Sequence, residues 1–243
     1  MTRSGDLEAD LSASESKGEA PPAKRKRGRP AIVTGEQICE TALEMGVATI
    51  TMTSVASQLG VNHATLYRYV TSRDDLVRQA IDLAVSRTDF PEPSDDGWQD
   101  FLYKTANALC GLLDQYPGIA TELAGGTFTH QVLHRGAEMM AGLVQMGFTP
   151  TNAVLAMDLI TDLVVDHVRK SEQLDGRVPS QSMPSRDELA KEWTGPTDTS
   201  EEEASLGDII AAGRAAIGIE PHEWLDNKLR ILLAGIGAEI APR

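Results

Sequence analysis

The side chains best suited to chemistry in this chain are hydrogen-bond donors gathered in two short stretches. One is the basic run Lys24-Arg25-Lys26-Arg27-Gly28-Arg29-Pro30, in a window from Ala20 to Gly35 that holds no acidic residue. Cations at that density seek phosphate. The other stretch is Asn62, His63, Ala64, Thr65, Tyr67, Arg68 and Tyr69, preceded by Thr53 and Ser54 and followed by Arg73. Asn, His and Arg hydrogen-bond base edges or phosphates, Ala64 and the Thr65 methyl can pack on thymine, and tyrosine hydroxyls reach phosphates. Thr53 and Ser54, at the start of a helix, can offer hydroxyl and backbone N–H groups to a phosphate.

Those side chains need elements to aim them. Thr34 with Gln37 three residues on forms a capping box that opens a helix carrying Ile38, Ala42 and Met45 and stopping at Gly46. A second helix begins around Thr53 with Val55, Ala56 and Leu59 inward, and Gly60 ends it. Asn62 is a good N-cap for a third, running to about Val70. Ser72 and Asp75 cap a fourth, with the apolar face Leu76, Val77, Ala80, Ile81 and Ala84. Two short helices about a tight turn, the second led by Asn62 to Thr65, have the grammar of a helix-turn-helix. Arg27-Gly28-Arg29-Pro30 has the make-up of a minor-groove hook, in which arginines lie in the narrow groove of A·T-rich DNA and glycine permits close approach; Arg25 extends it.

The formal charge of −14 over 243 residues fits a DNA partner only once it is divided. Residues 1–90 carry 11 Lys/Arg against 12 Asp/Glu, whereas residues 91–243 carry 11 against 24. The acidity belongs to the second half, which should stay off nucleic acid. The expected organisation is a disordered basic arm over 1–30, a helix-turn-helix domain over 31–88 and a second helical domain over 97–243. Phe90 to Gly97, proline-rich and acidic, is the connector between the last two. No run of 18 apolar residues and no apolar leader is present, so a cytoplasmic protein with no membrane span is expected. Cys39 and Cys110 read as buried free thiols.

Beyond the connector the pattern stays helical and no convincing strand is visible. Helices are predicted from Trp98 to Tyr116, Ile119 to Ala124, over 129–146, from Thr149-Pro150 to about Lys170, and from Pro221 to Ile240. The 150–170 helix is apolar on nearly all sides and must be buried on more than one face. Residues 171–207 read as a polar, mobile loop with a short helix near Asp187 to Trp193. The fold class is therefore all-α: an N-terminal three-helix helix-turn-helix domain followed by a C-terminal helical ligand-binding and dimerisation domain.

The segment Ala56-Ser57-Gln58-Leu59-Gly60-Val61-Asn62-His63-Ala64-Thr65-Leu66-Tyr67-Arg68-Tyr69-Val70, then Ser72-Arg73-Asp74-Asp75-Leu76, closely resembles the DNA-binding domain of the tetracycline-repressor (TetR) family. The second half is similar to the tetracycline repressor's own regulatory subclass at Trp98-Gln99-Asp100-Phe101-Leu102 and at Gly147-Phe148 with Asn152-Ala153. The resemblance implies a homodimeric repressor of a double-stranded operator, relieved by a small-molecule effector. It also implies that the 150–170 helix and the last helix form an intersubunit bundle. By position, His63, Ala64, Thr65, Tyr67, Arg68, Tyr69 and Arg73 fall on DNA-contacting positions of the family. In the same register the metal-liganding histidine of the tetracycline site falls on Leu123, and the carboxylate completing the metal shell on Lys170. Those side chains cannot hold a magnesium–drug chelate, so no metal and no cofactor is expected. The amide and the aromatic of that pocket become Thr105 and Leu109. Phe128, Met139, Met140, Leu143 and Met157 remain near it, with Thr105, Asp162, His130 and His134 as orienting groups. The set suits a larger, mostly apolar ligand, although Met and Phe at helical spacing also serve simply as core.

Two further readings stay open at this level. An architectural protein could bind A·T tracts through the RGRP arm without an effector. An enzyme would need machinery that is missing: no Ser/His/Asp order, Gly-rich phosphate loop or CxxC occurs, and Asp162 with Asp166 reads better as a pair bonding within a bundle.

Overall fold

The computed structural model describes residues 33–94, 96–180, 183–193 and 201–242. The basic arm, with Arg25, Arg27 and Arg29, lies outside the described residues. Helices are the only regular elements among the described residues, as the patterns predict. They are α1 (Gly35–Met45), α2 (Met52–Gln58), α3 (His63–Leu66), α4 (Arg73–Arg87), α5 (Trp98–Gln115), α6 (Ile119–Ala124), α7 (His130–Gln145), α8 (Pro150–Leu174), α9 (Arg186–Glu192), α10 (Glu201–Ile217) and α11 (Pro221–Glu239). None of them is long and apolar enough to cross a membrane.

Local chemistry sets the first four. The Thr34 hydroxyl accepts from the Gln37 N–H while the Gln37 side chain accepts from the Thr34 N–H, closing the capping box of α1. A second box, Thr51 with Ser54, opens α2. Asn62 Oδ1 accepts from Ala64 N–H at 2.9 Å and starts α3, and Ser72 caps α4. The third helix is shorter than its expected run to Val70. After Leu66 the backbone turns to three-residue bonds, Arg68 N–H to Thr65 O and Tyr69 N–H to Leu66 O, so residues 67–69 form turns. Ile38, Ala42, Val55, Leu66, Leu76, Ala80 and Ile81 are all buried and hold α1 to α4 together. Arg87 at the end of α4 pairs with Glu36 and Glu40 of α1.

In the remainder, α8 is the central element, with α5, α6, α7 and α11 packed on it. It runs to Leu174, one turn past the expected end. Residues 171–207 are not simply loop. Their first four residues complete α8, α9 occupies 186–192, and α10, which no pattern announced, starts at Glu201. α10 is rich in Ala and Gly and lacks an apolar stripe long enough to be seen in sequence. Both cysteines are buried and free.

Several contacts hold α1–α4 against the rest, among them the Arg73–Glu122 pair between α4 and α6. Gly118, ahead of α6, adopts φ +96° and sits so close to Ala48 in the α1–α2 turn that a Cβ would lie 2.7 Å from the Ala48 N and Cβ. Asp82 of α4 accepts from the backbone N–H of Gln131 in α7 at 3.3 Å.

Candidate functional site: reading face and apolar cavity

The candidate reading face is built on α3, whose Leu66 is buried. His63, Ala64, Tyr67 and Arg68 are exposed there, Thr53 is exposed at the start of α2, and Thr65 is half-buried. The His63 and Tyr67 rings meet edge to face at 5.0 Å, so the imidazole and phenol hold each other's orientation. Other members of the sequence-derived set already have internal partners. Asn62 caps α3, and the Ser54 hydroxyl completes the α2 capping box. The Tyr69 hydroxyl donates to Val33 O at 2.6 Å, tying down the chain that enters α1. Arg73 donates to the carbonyls of Val47 and Ala48 and to Glu122 of α6.

The second feature is a cavity of about 330 Å³ lined by residues of α4, α5, α6, α7 and α8. Its volume falls within the range of small-molecule sites. Apolar side chains dominate: Leu109 and Leu112 from α5, Leu123 from α6, Met139 from α7, Met157 and Val165 from α8. α4 contributes Ile81 and Val85 to the same wall. Of the ligand set expected from sequence, Thr105, Leu109, Leu123, Phe128, Met139, Met157 and Asp162 all line it.

His134 and Met140 do not line it. His134 is exposed, stacked on His130 with ring centroids 6.1 Å apart and within 3.4 Å of Glu138. Met140 is half-buried and packs against the core elsewhere. Each is one position from the residue that does face inward, Arg135 and Met139, and one step along a helix turns a side chain by about 100°. Arg135, like Thr161, is a polar lining residue that the sequence reading missed. Its signal was faint: a cation on the cavity side of an otherwise apolar turn. The Arg135 guanidinium lies 5.9 Å from the Phe90 ring centroid, and its Nη1 pairs with Glu138 at 2.9 Å.

Lys170, in the register of a metal-shell carboxylate, is exposed and paired with Asp166, away from the cavity lining. Among the described residues, Cys110, Asp114 and His222 are the group whose ligand atoms come together, within 4.8 Å of one another. They already satisfy each other. The Cys110 thiol donates to Asp114 at 3.5 Å, and His222 Nε2 lies 3.1 Å from the same carboxylate. Burial, with Asp114 beside it, pushes the Cys110 thiol up to about 12, which favours the protonated form over the ligating thiolate.

Among the described residues the regular elements are all helices, with the short exposed α3 ahead of α4 and α4 helping to wall an apolar cavity. The family description "Tetracyclin repressor-like, C-terminal domain" matches residues 90–240. The chain belongs to the tetracycline-repressor (TetR) family, whose members are transcriptional regulators rather than enzymes. Relatives include an HTH-type transcriptional regulator of Saccharopolyspora erythraea, 26% identical over 156 residues, which are 60% of this chain and 64% of the relative. The HTH-type transcriptional repressor DrrR1 of Streptomyces coeruleorubidus is 26% identical over 172 residues, 68% of this chain and 62% of that protein. The chain thus spans a little under two thirds of the length of either relative. Among solved structures, the Streptomyces coelicolor TetR family protein ActR in complex with actinorhodin superposes with a TM-score of 0.68 at 19% identity, over 86% of this chain and 98% of ActR. At that identity the likeness is one of fold.

Proposed function

We propose that this chain is a ligand-responsive transcriptional repressor that grips a palindromic double-stranded operator as a homodimer and lets go when a largely apolar small molecule fills the cavity. One observation carries the reading: Ile81 and Val85 of α4 are both core of the head and wall of the cavity. A ligand pressing on them moves α4, and α4 follows the reading helix with only residues 67–72 between. In this reading residues 31–88 read DNA, residues 97–243 sense and pair, and the protein acts in the cytoplasm.

His63, Ala64, Thr65, Tyr67 and Arg68 face bases and phosphates, and Thr53 meets a phosphate beside them. Arg25, Arg27 and Arg29 add a minor-groove grip. Pairing uses α8 and α11, whose apolar Val154, Leu155, Leu159 and Ile231 are exposed in the single chain. The effector is an antibiotic-like or polyketide compound, whose apolar rings suit the largely apolar lining of the cavity.

The test is selection of bound duplexes from a random library by the full-length protein, with its mass measured in solution. Inverted repeats on a dimer are expected. Arg68→Ala should weaken binding by at least tenfold, and Leu159→Glu should give monomers. A monomeric wild type, or no duplex preference, overturns the proposal. The architectural alternative requires that Arg25, Arg27 and Arg29 together, replaced by Ala, abolish binding rather than weaken it.

A further inference from the structure

The apolar wall of the cavity is interrupted by two polar groups without partners. Thr105 is 2% exposed, and its hydroxyl has no hydrogen-bond partner among the described residues. Arg135 lines the same cavity, and its Nε is likewise buried without a partner. Its other contacts hold the guanidinium in place: Glu138 takes Nη1 and the Phe90 ring lies at its face. A buried donor left unpaired is unfavourable, and a fixed one is preorganised for an acceptor. The acidic member of the lining, Asp162, is exposed, so solvent screens it, whereas the Arg135 side chain is only 29% exposed.

We propose that the effector is an acidic aromatic compound whose anionic oxygen is taken by Arg135 and Thr105 while its rings occupy the apolar remainder. The inference rests on the reading of this cavity as the effector site. Guanidinium N–H groups bond charged oxygens more strongly than neutral ones, and Phe128, Leu109 and Met139 offer ring-sized apolar surface. Thr105 supplies the second hydrogen bond, setting which end of the molecule faces α5.

Two fluorescent probes that differ in one group test it. N-phenyl-1-naphthylamine is neutral, and 8-anilinonaphthalene-1-sulfonate carries a sulfonate on the same ring skeleton. Both are titrated into the full-length protein and into Arg135→Met, Arg135→Lys and Gly136→Leu, with melting curves for each variant. The ratio of the two affinities is the quantity read. In the wild type the sulfonate should bind at least tenfold tighter; Arg135→Met should bring the ratio near one, and Arg135→Lys, which keeps the charge but loses the Nε donor, to an intermediate value. Equal affinities, or a ratio that Arg135→Met leaves unchanged, overturn the acidic-effector inference and leave the cavity reading standing. Failure of both probes to bind, or binding that the blocked Gly136→Leu cavity does not weaken, overturns the cavity reading and the inference with it.

Discussion

Arg73, the first residue of α4, donates from Nη2 to Glu122 of α6 at 2.8 Å, and the same nitrogen donates to the Val47 carbonyl at 2.8 Å. One guanidinium thus joins the α1–α2 turn, the start of α4 and a helix whose Leu123 lines the cavity. The pair is partly screened, with 34% and 19% of the two side chains exposed. Glu122→Gln should therefore cost only about 0.5–1 kcal/mol, a fall of roughly 1–4 °C in melting temperature. Its larger effect should be on communication: ligand-induced loss of DNA binding becomes shallower while DNA affinity without ligand stays close to wild type. A variant that releases DNA as fully as wild type would remove Arg73–Glu122 from the coupling route.

Gly136 of α7 lines the cavity, and a Cβ built there meets nothing within 4 Å. Gly136→Leu should fold at least as well as the parent, because glycine in a helix interior is less favourable than leucine by up to about 1 kcal/mol. The added side chain occupies ligand space. Unchanged melting with lost ligand response is the expected pair of results, read by thermal denaturation and by DNA release.

Gly118 behaves oppositely. Its φ of +96° disfavours any side chain, and a Cβ would overlap Ala48. Gly118→Ala should destabilise by something on the order of 2–4 kcal/mol, combining backbone strain with overpacking. The α1–α2 turn would be pushed off α6, so protease accessibility of that turn, measured with global stability, reports the loss.

Glu172 of α8 is fully buried. Its Oε1 accepts from the Gly118 N–H at 3.1 Å, and Oε2 has no partner among the described residues. Desolvation raises its pKa above the ordinary carboxylate value. A raised folded-state value means that the stabilising contribution is complete below the unfolded value and is lost as pH rises through the folded one. Glu172→Gln keeps the acceptor for Gly118 and removes the buried charge. Its melting temperature should exceed that of wild type at pH 8, and the gap should narrow towards pH 4. A gap that widens on acidification would contradict this assignment.

Much of the architecture follows from local rules that sequence displays. Thr34 with Gln37, Ser72 with Asp75 and Thr149 before Pro150 announce helix starts through their own backbone hydrogen bonds, which need no distant partner. The apolar faces of α4 and α5 likewise show their period directly. Where local signals weaken, sequence misleads: α10 offers alanines and glycines without a stripe, and α3 stops early because its backbone tightens after Leu66.

The cavity divides in the same way. That Thr105, Leu109, Phe128, Met139 and Met157 lie near one cavity was legible from the family resemblance. The choice of Met139 over Met140, and of Arg135 over His134, was not, because it depends on the rotation of α7 about its own axis against α8. So it was with Tyr69 and Arg73: residue type marks a donor, but only packing of distant segments reveals whether Val33, Val47 or Glu122 already holds it. Sequence by itself determined most of the helices, α10 excepted, and the chemistry available on them, since caps and periodicity act over a few residues. The tertiary structure decided which donors are engaged and which face open space, since that is fixed by contacts between segments far apart along the chain.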